Sequence, residues 1–127
     1  MEPLIIKGTN ATPNVVLNKD TNEFKISGNS LPEDVFSFYN PIIDWIKKYL
    51  ESPNKSTVFT FQMVYFNTAT SKVFIEIFKT LESLITAGFA VKVNWCYMEI
   101  DEDTLESGEE YASLLNIPFE FQKFESF

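Results

Sequence analysis

Residues 57–71 read TVFTFQMVYFNTATS, and the fold turns on how that stretch divides. Its first ten residues are β-branched, aromatic or otherwise uncharged, with no proline or glycine, which suits a strand inside a sheet. Phe59, Phe61, Met63 and Tyr65 fall on one face, and Val58, Thr60, Gln62 and Val64 form a softer second face. After Asn67 the period changes. Phe74, Ile77, Phe78, Leu81, Leu84 and Ile85 recur at helical spacing, so residues 69–87 are expected as a helix with one apolar stripe. Gly88 is placed to end that helix in a left-handed conformation.

Working outward, residues 91–97 alternate again, with Val91, Val93, Trp95 and Tyr97 on one face. Residues 101–115 read as a helix with an acidic start, and 118–124 as a last strand. Upstream, 4–7, 14–18 and 23–27 are short strands, the last two joined as a hairpin over residues 18–22. Ser30-Leu31-Pro32-Glu33 has the spacing of a capping box. Val35, Phe36, Tyr39, Ile42, Ile43, Ile46, Tyr49 and Leu50 follow at helical spacing. Pro41 deletes an interior hydrogen bond, so this helix should kink there or restart with Asn40 as cap. The order β-β-β-α-β-α-β-α-β predicts an α/β fold with parallel crossovers in a single mixed sheet. Most strands have one strongly apolar side, which places the helices mainly on one face.

The 127 residues make one domain, 1–127, with no internal boundary. A net charge of −8 argues against binding nucleic acid or an anionic membrane surface. With no histidine, His-based triads, His general bases and His metal ligands are all excluded. The single Cys96 forms no internal disulfide and fits a reducing compartment; as a residue within a strand it is expected to be inert. Residues 1–13 lack the basic and apolar regions of a signal peptide, so a cytoplasmic location is expected. No metal site or cofactor is expected: Asp101-x-Asp103 suggests a calcium loop, but Glu106 and Ala112 stand where that loop needs glycine and glutamate. The acids from Glu99 to Glu110 read as a favourable helix start and a solvated face, with a milder role in attracting a basic partner.

The chemical signal lies at the strand–helix junction, where Thr68, Thr70 and Ser71 crowd the first helical turn. Two readings use the same physics. A hydroxyl there can cap the helix by accepting a backbone N–H bond. Alternatively, the unpaired N–H groups and the helix dipole tolerate an added phosphate, so modification would alter what the surface binds without unfolding it.

Gly8-Thr9 with Thr12-Pro13, Gly28-Asn29-Ser30-Leu31-Pro32-Glu33, Ile43-Asp44-Trp45, Tyr65-Phe66-Asn67-Thr68 and Asn94-Trp95-Cys96-Tyr97 together resemble the SiaC family of small bacterial regulatory phosphoproteins. The resemblance implies a STAS-like fold of the anti-anti-sigma type. It also implies a switch in which a protein Ser/Thr kinase phosphorylates the threonine of the N-T motif and a PP2C-type phosphatase resets it. The unphosphorylated form would bind and activate a diguanylate cyclase, controlling cyclic-di-GMP and aggregation or biofilm growth. The matching position is Thr68. Here Ala69-Thr70 replaces the Ser-Ser that often follows it, leaving Thr70 and Ser71 as alternative acceptors. Asn67, Thr68, Ala69 and Thr70, with Gly28, Asn29, Ser30, Pro32 and Glu33, are then the expected partner-binding residues. The competing readings are a sigma-factor partner switch on the same fold and, more remotely, a small ligand-binding protein or enzyme.

Overall fold

The computed structural model describes residues 1–125. Its elements are β1 Leu4–Ile6, β2 Asn14–Asn18, β3 Glu23–Ser30, α1 Val35–Tyr49, β4 Ser56–Phe66, α2 Thr68–Thr86, β5 Ala90–Met98, α3 Glu102–Leu114 and β6 Phe119–Phe124. The six strands form one sheet in chain order. β1–β2 and β2–β3 pair antiparallel, whereas β3–β4, β4–β5 and β5–β6 are parallel. Each parallel step moves one strand further in the same direction, so right-handed crossovers put all three helices on one face. The cross-strand rows agree. Val15, Ile26, Phe61 and Trp95 lie in one row and are buried, whereas Val16, Lys25, Thr60 and Asn94 in the next are half-exposed on the helix-free face.

The core is built from rings. Phe61 lies 5.0 Å from Phe59, Phe74 and Phe78 and 5.8 Å from Trp95, centroid to centroid. Such tilted and offset pairs add to the burial of apolar area itself. Trp95 is fully buried, and its indole N–H donates to the Thr104 carbonyl at 2.9 Å, so its one polar atom is satisfied. Trp45 flanks α1, half-buried, stacking on Tyr49 and donating to the Glu2 carbonyl.

Several local expectations need correction. β3 does not stop before Gly28 but continues to Ser30, with Gly28 at φ +105°, where a side chain would be strained. Gly28 pairs with Met63 and Asn29 with Tyr65, so Val64 is an extra residue in β4. That bulge reverses the alternation. Tyr65, expected on one face with Phe59, Phe61 and Met63, parts from those buried residues and is 53% exposed, and Phe66 turns inward onto Phe74 and Trp95. The capping box at Ser30 is not formed. Asp34 caps α1 instead, accepting from Ser37 N at 3.1 Å, because Ser30 is still extended in β3. α1 is continuous through Pro41, which sits on the exposed side where a freed carbonyl can meet water. α2 ends as expected: Gly88 has φ +90°, Gly88 N bonds to Ile85 O and Phe89 N to Leu84 O.

Gly108 on α3 lies against the Trp95 ring, and an added Cβ would run into the indole. Alanine normally favours a helix over glycine by about 1 kcal/mol. At this position overpacking reverses the sign, and Gly108→Ala is expected to destabilise by about 1–3 kcal/mol in urea denaturation.

Candidate functional site

The parallel strands β3, β4 and β5 end on the same edge of the sheet, and α1, α2 and α3 start there. The extended pairing of β3 with β4 finishes with Asn67 N donating to the Ser30 carbonyl at 3.0 Å. Asn67 is thereby held in extended geometry and caps α2, its Oδ1 accepting from Thr70 N at 2.9 Å. The cap is an amide, not one of the hydroxyls.

That leaves three hydroxyls in three environments. Thr68 is the first helical residue and is exposed, as is Ala69. Thr70 is fully buried, and its hydroxyl donates to the Ser30 carbonyl at 3.1 Å and meets Ser30 Oγ at 2.9 Å. Ser71 is half-buried, with its hydroxyl bonded to the Tyr111 hydroxyl of α3. Thr70 as an alternative acceptor is therefore out of reach while the first turn of α2 is folded.

Ser30 itself is fully buried and shares a 2.6 Å hydrogen bond with Tyr39 OH. One orientation satisfies every group: Tyr39 O–H to Ser30 Oγ, Ser30 O–H to Thr70 Oγ1, Thr70 O–H to the Ser30 carbonyl. This chain ties β3, α1 and α2 together behind Thr68. Ser30 thus supports the surface from within and is not part of it, contrary to its expected docking role. Gly28, Asn29 and Pro32 are half-buried near the surface, and Glu33 is exposed. Burial raises the Tyr39 hydroxyl well above the usual tyrosine pKa, opposed by its bonds to Ser30 and Thr70. Burial likewise raises Tyr111, against the bond from Ser71.

The Gly8–Pro13 stretch acts from outside the sheet. Thr9 Oγ1 accepts from Ala11 N and Thr12 N, Gly8 N donates to Asn14 Oδ1, and Ala11 O accepts from Leu31 N at 2.8 Å. Gly8 has no room for a Cβ against Thr12, Pro13 and Asn14. The loop therefore props Leu31, the residue after Ser30. The buried chain, with partners 40 residues apart, is the part that sequence reasoning missed; Ser30 was legible only as a local cap. Cys96 is buried within β5, and burial pushes its thiol pKa up, as an unreactive cysteine requires.

Fold and edge together define a small α/β domain that displays one exposed hydroxyl at a firmly capped helix start. The description "SiaC family regulatory phosphoprotein" matches residues 6–124, and the chain belongs to that family. An uncharacterised protein of Pseudomonas aeruginosa strain UCBPP-PA14 is 27% identical over 122 residues, 96% of this chain and 97% of that one. The crystal structure of apo-SiaC from Pseudomonas aeruginosa superposes with a TM-score of 0.89 at 26% identity, over 96% of this chain and 99% of that one. The structure of the diguanylate cyclase SiaD in complex with its activator SiaC, from the same organism, gives 0.89 at 26% identity over 95% and 99%. Among the described residues no helix is long and apolar enough to cross a membrane.

Removing one hydroxyl from the buried chain strands its neighbours. Ser30→Ala is expected to cost about 1–3 kcal/mol in chemical denaturation, more than a surface Ser→Ala change. The chain also sets an alkaline limit. Above pH 10.0 the unfolded tyrosine ionises while folded Tyr39 keeps its proton, so the unfolded state binds fewer protons and stability falls as pH rises. Thermal melts across this range should show that loss, and Tyr39→Phe should reduce it, leaving the smaller part that Tyr111 and Cys96, also raised by burial, contribute.

Proposed function

We propose that this chain is a phosphorylation-switched activator of a diguanylate cyclase, acting by binding and not by catalysis, with Thr68 as the phosphoacceptor. The carrying observation is the contrast among the three hydroxyls: Thr68 is exposed, Thr70 is buried and Ser71 is bonded to Tyr111. Membership of a family of regulatory phosphoproteins supports the switch, and the complex of a similar protein with its cyclase supports the partner. On this reading a protein Ser/Thr kinase adds the phosphate and a PP2C-type phosphatase removes it, in the cytoplasm.

The site suits a modification that changes binding and spares the fold. A phosphate on Thr68 stands at the positive end of the α2 dipole, with Lys72 one turn along on the same face. The surrounding edge is apolar for a solvent-facing surface. Leu31, Phe36, Val64, Tyr65 and Ile100 are half of the ten large apolar side chains exposed among the described residues, and all lie at this end of the sheet. A partner covering that edge would have to bury the phosphate dianion, at a cost of several kcal/mol. A micromolar complex has only about 8 kcal/mol in total, so such a cost releases it.

The test is reconstitution with the cyclase of the same organism. Unphosphorylated protein should raise cyclic-di-GMP synthesis, and stoichiometric phosphorylation at Thr68 should abolish both binding and activation. Because Asn67 is the cap, Thr68→Ala should change stability by no more than about 0.5 kcal/mol while activating constitutively. Tight cyclase binding by the fully phosphorylated protein would overturn the mechanism.

A further inference from the structure

We infer that the groove between the end of β4 and the start of α3 docks a segment of the cyclase that carries an apolar side chain flanked by lysine or arginine; the identity of the partner rests on the reading above, the groove does not. The groove holds about 270 Å³, with Val64, Tyr65 and Phe66 on one wall and Asp101, Asp103 and Ser107 on the other. The bulge completes the apolar wall, because it turns Tyr65 outward beside Val64, the two being 53% and 42% exposed. No lysine lines the groove, and the chain has no arginine. Asp101 is engaged as the α3 cap, accepting from Thr104 N and Thr104 Oγ1. The Asp103 carboxylate is exposed and makes no hydrogen bond or ion pair among the described residues, and Glu102 stands exposed beside it. A cleft with one apolar wall, the unpartnered Asp103 carboxylate on the other and Glu102 next to it in the chain is complementary to an apolar anchor beside cations.

The test titrates isotope-labelled full-length protein with a short peptide alternating lysine and leucine, and with its glutamate–leucine counterpart, while following backbone amide resonances. The basic peptide should shift Val64, Tyr65, Phe66, Thr104 and Ser107 saturably, and the acidic peptide should not. Asp103→Lys should weaken that binding about five- to tenfold. Glu51→Lys, the same charge change on an exposed residue beyond α1, should leave it unaltered. Shifts spread over the whole acidic surface, or equal weakening by the two variants, would overturn the groove. The same variants are then compared for cyclase binding. Weaker binding by Asp103→Lys alone supports the proposal. Cyclase binding that ignores Asp103→Lys overturns it while leaving the activator reading intact. A groove that takes the basic peptide in a protein that does not bind the cyclase rejects that partner and with it the proposed occupant.

Discussion

Everything distinctive at the working edge follows from how β3 and β4 finish their pairing. One extra residue, Val64, enters β4 opposite the Gly28–Asn29 step, and the glycine accepts the positive φ that the step imposes. From that point the two faces of β4 exchange. Val64 and Tyr65 face solvent, Phe66 joins the ring cluster around Trp95, and Asn67 reaches the Ser30 carbonyl in the extended geometry of a cap. Without the bulge, regular alternation would send Tyr65 into the core and Phe66 out of it.

Behind that edge, three hydroxyls are buried in place of an apolar plug. Each costs desolvation, and each is offset only because the donor–acceptor chain ends on a backbone carbonyl. The result is positional precision: the chain joins the last residue of β3 to α1 and to the first turn of α2. Thr68 stands just outside it and is exposed at the first position of α2. A functional hydroxyl that also capped the helix or filled the core would couple modification to unfolding. Here Asn67 caps the helix, Thr70 is buried and Thr68 is left exposed.

The electrostatics of the edge would separate two effects of the proposed phosphorylation. An acidic rim attracts a basic segment over long range, and a phosphate at Thr68 would increase that attraction. In the proposed switch, release would therefore come from contact, through the bulk of the phosphate and the cost of stripping water from it. Long-range attraction decays with salt over about 8–10 Å, whereas the contact penalty does not. The proposed rim and the proposed switch would thus act on different stages of association, encounter and seating.

The element order, the single mixed sheet, the one-sided helices and the end of α2 at Gly88 were legible from periodicity and glycine placement, because these depend on neighbours in sequence. The strand–helix junction was legible for the same reason, and it drew attention to Thr68. Resemblance to a family singled out that threonine, but residue types alone left Thr68, Thr70 and Ser71 equivalent. Local pattern also puts Ser30 in a capping box and Tyr65 on the face of Phe59, Phe61 and Met63, and neither holds, since a capping box and a two-residue period describe a chain without partners. Which hydroxyl is buried, which amide caps and which aromatic turns outward depend on contacts such as Ser30–Thr70 and Ser71–Tyr111, each across 40 residues. The sequence determined the elements and their order; only their packing decided the orientation of each side chain at the edge, because a single inserted residue in a paired strand reverses every face after it.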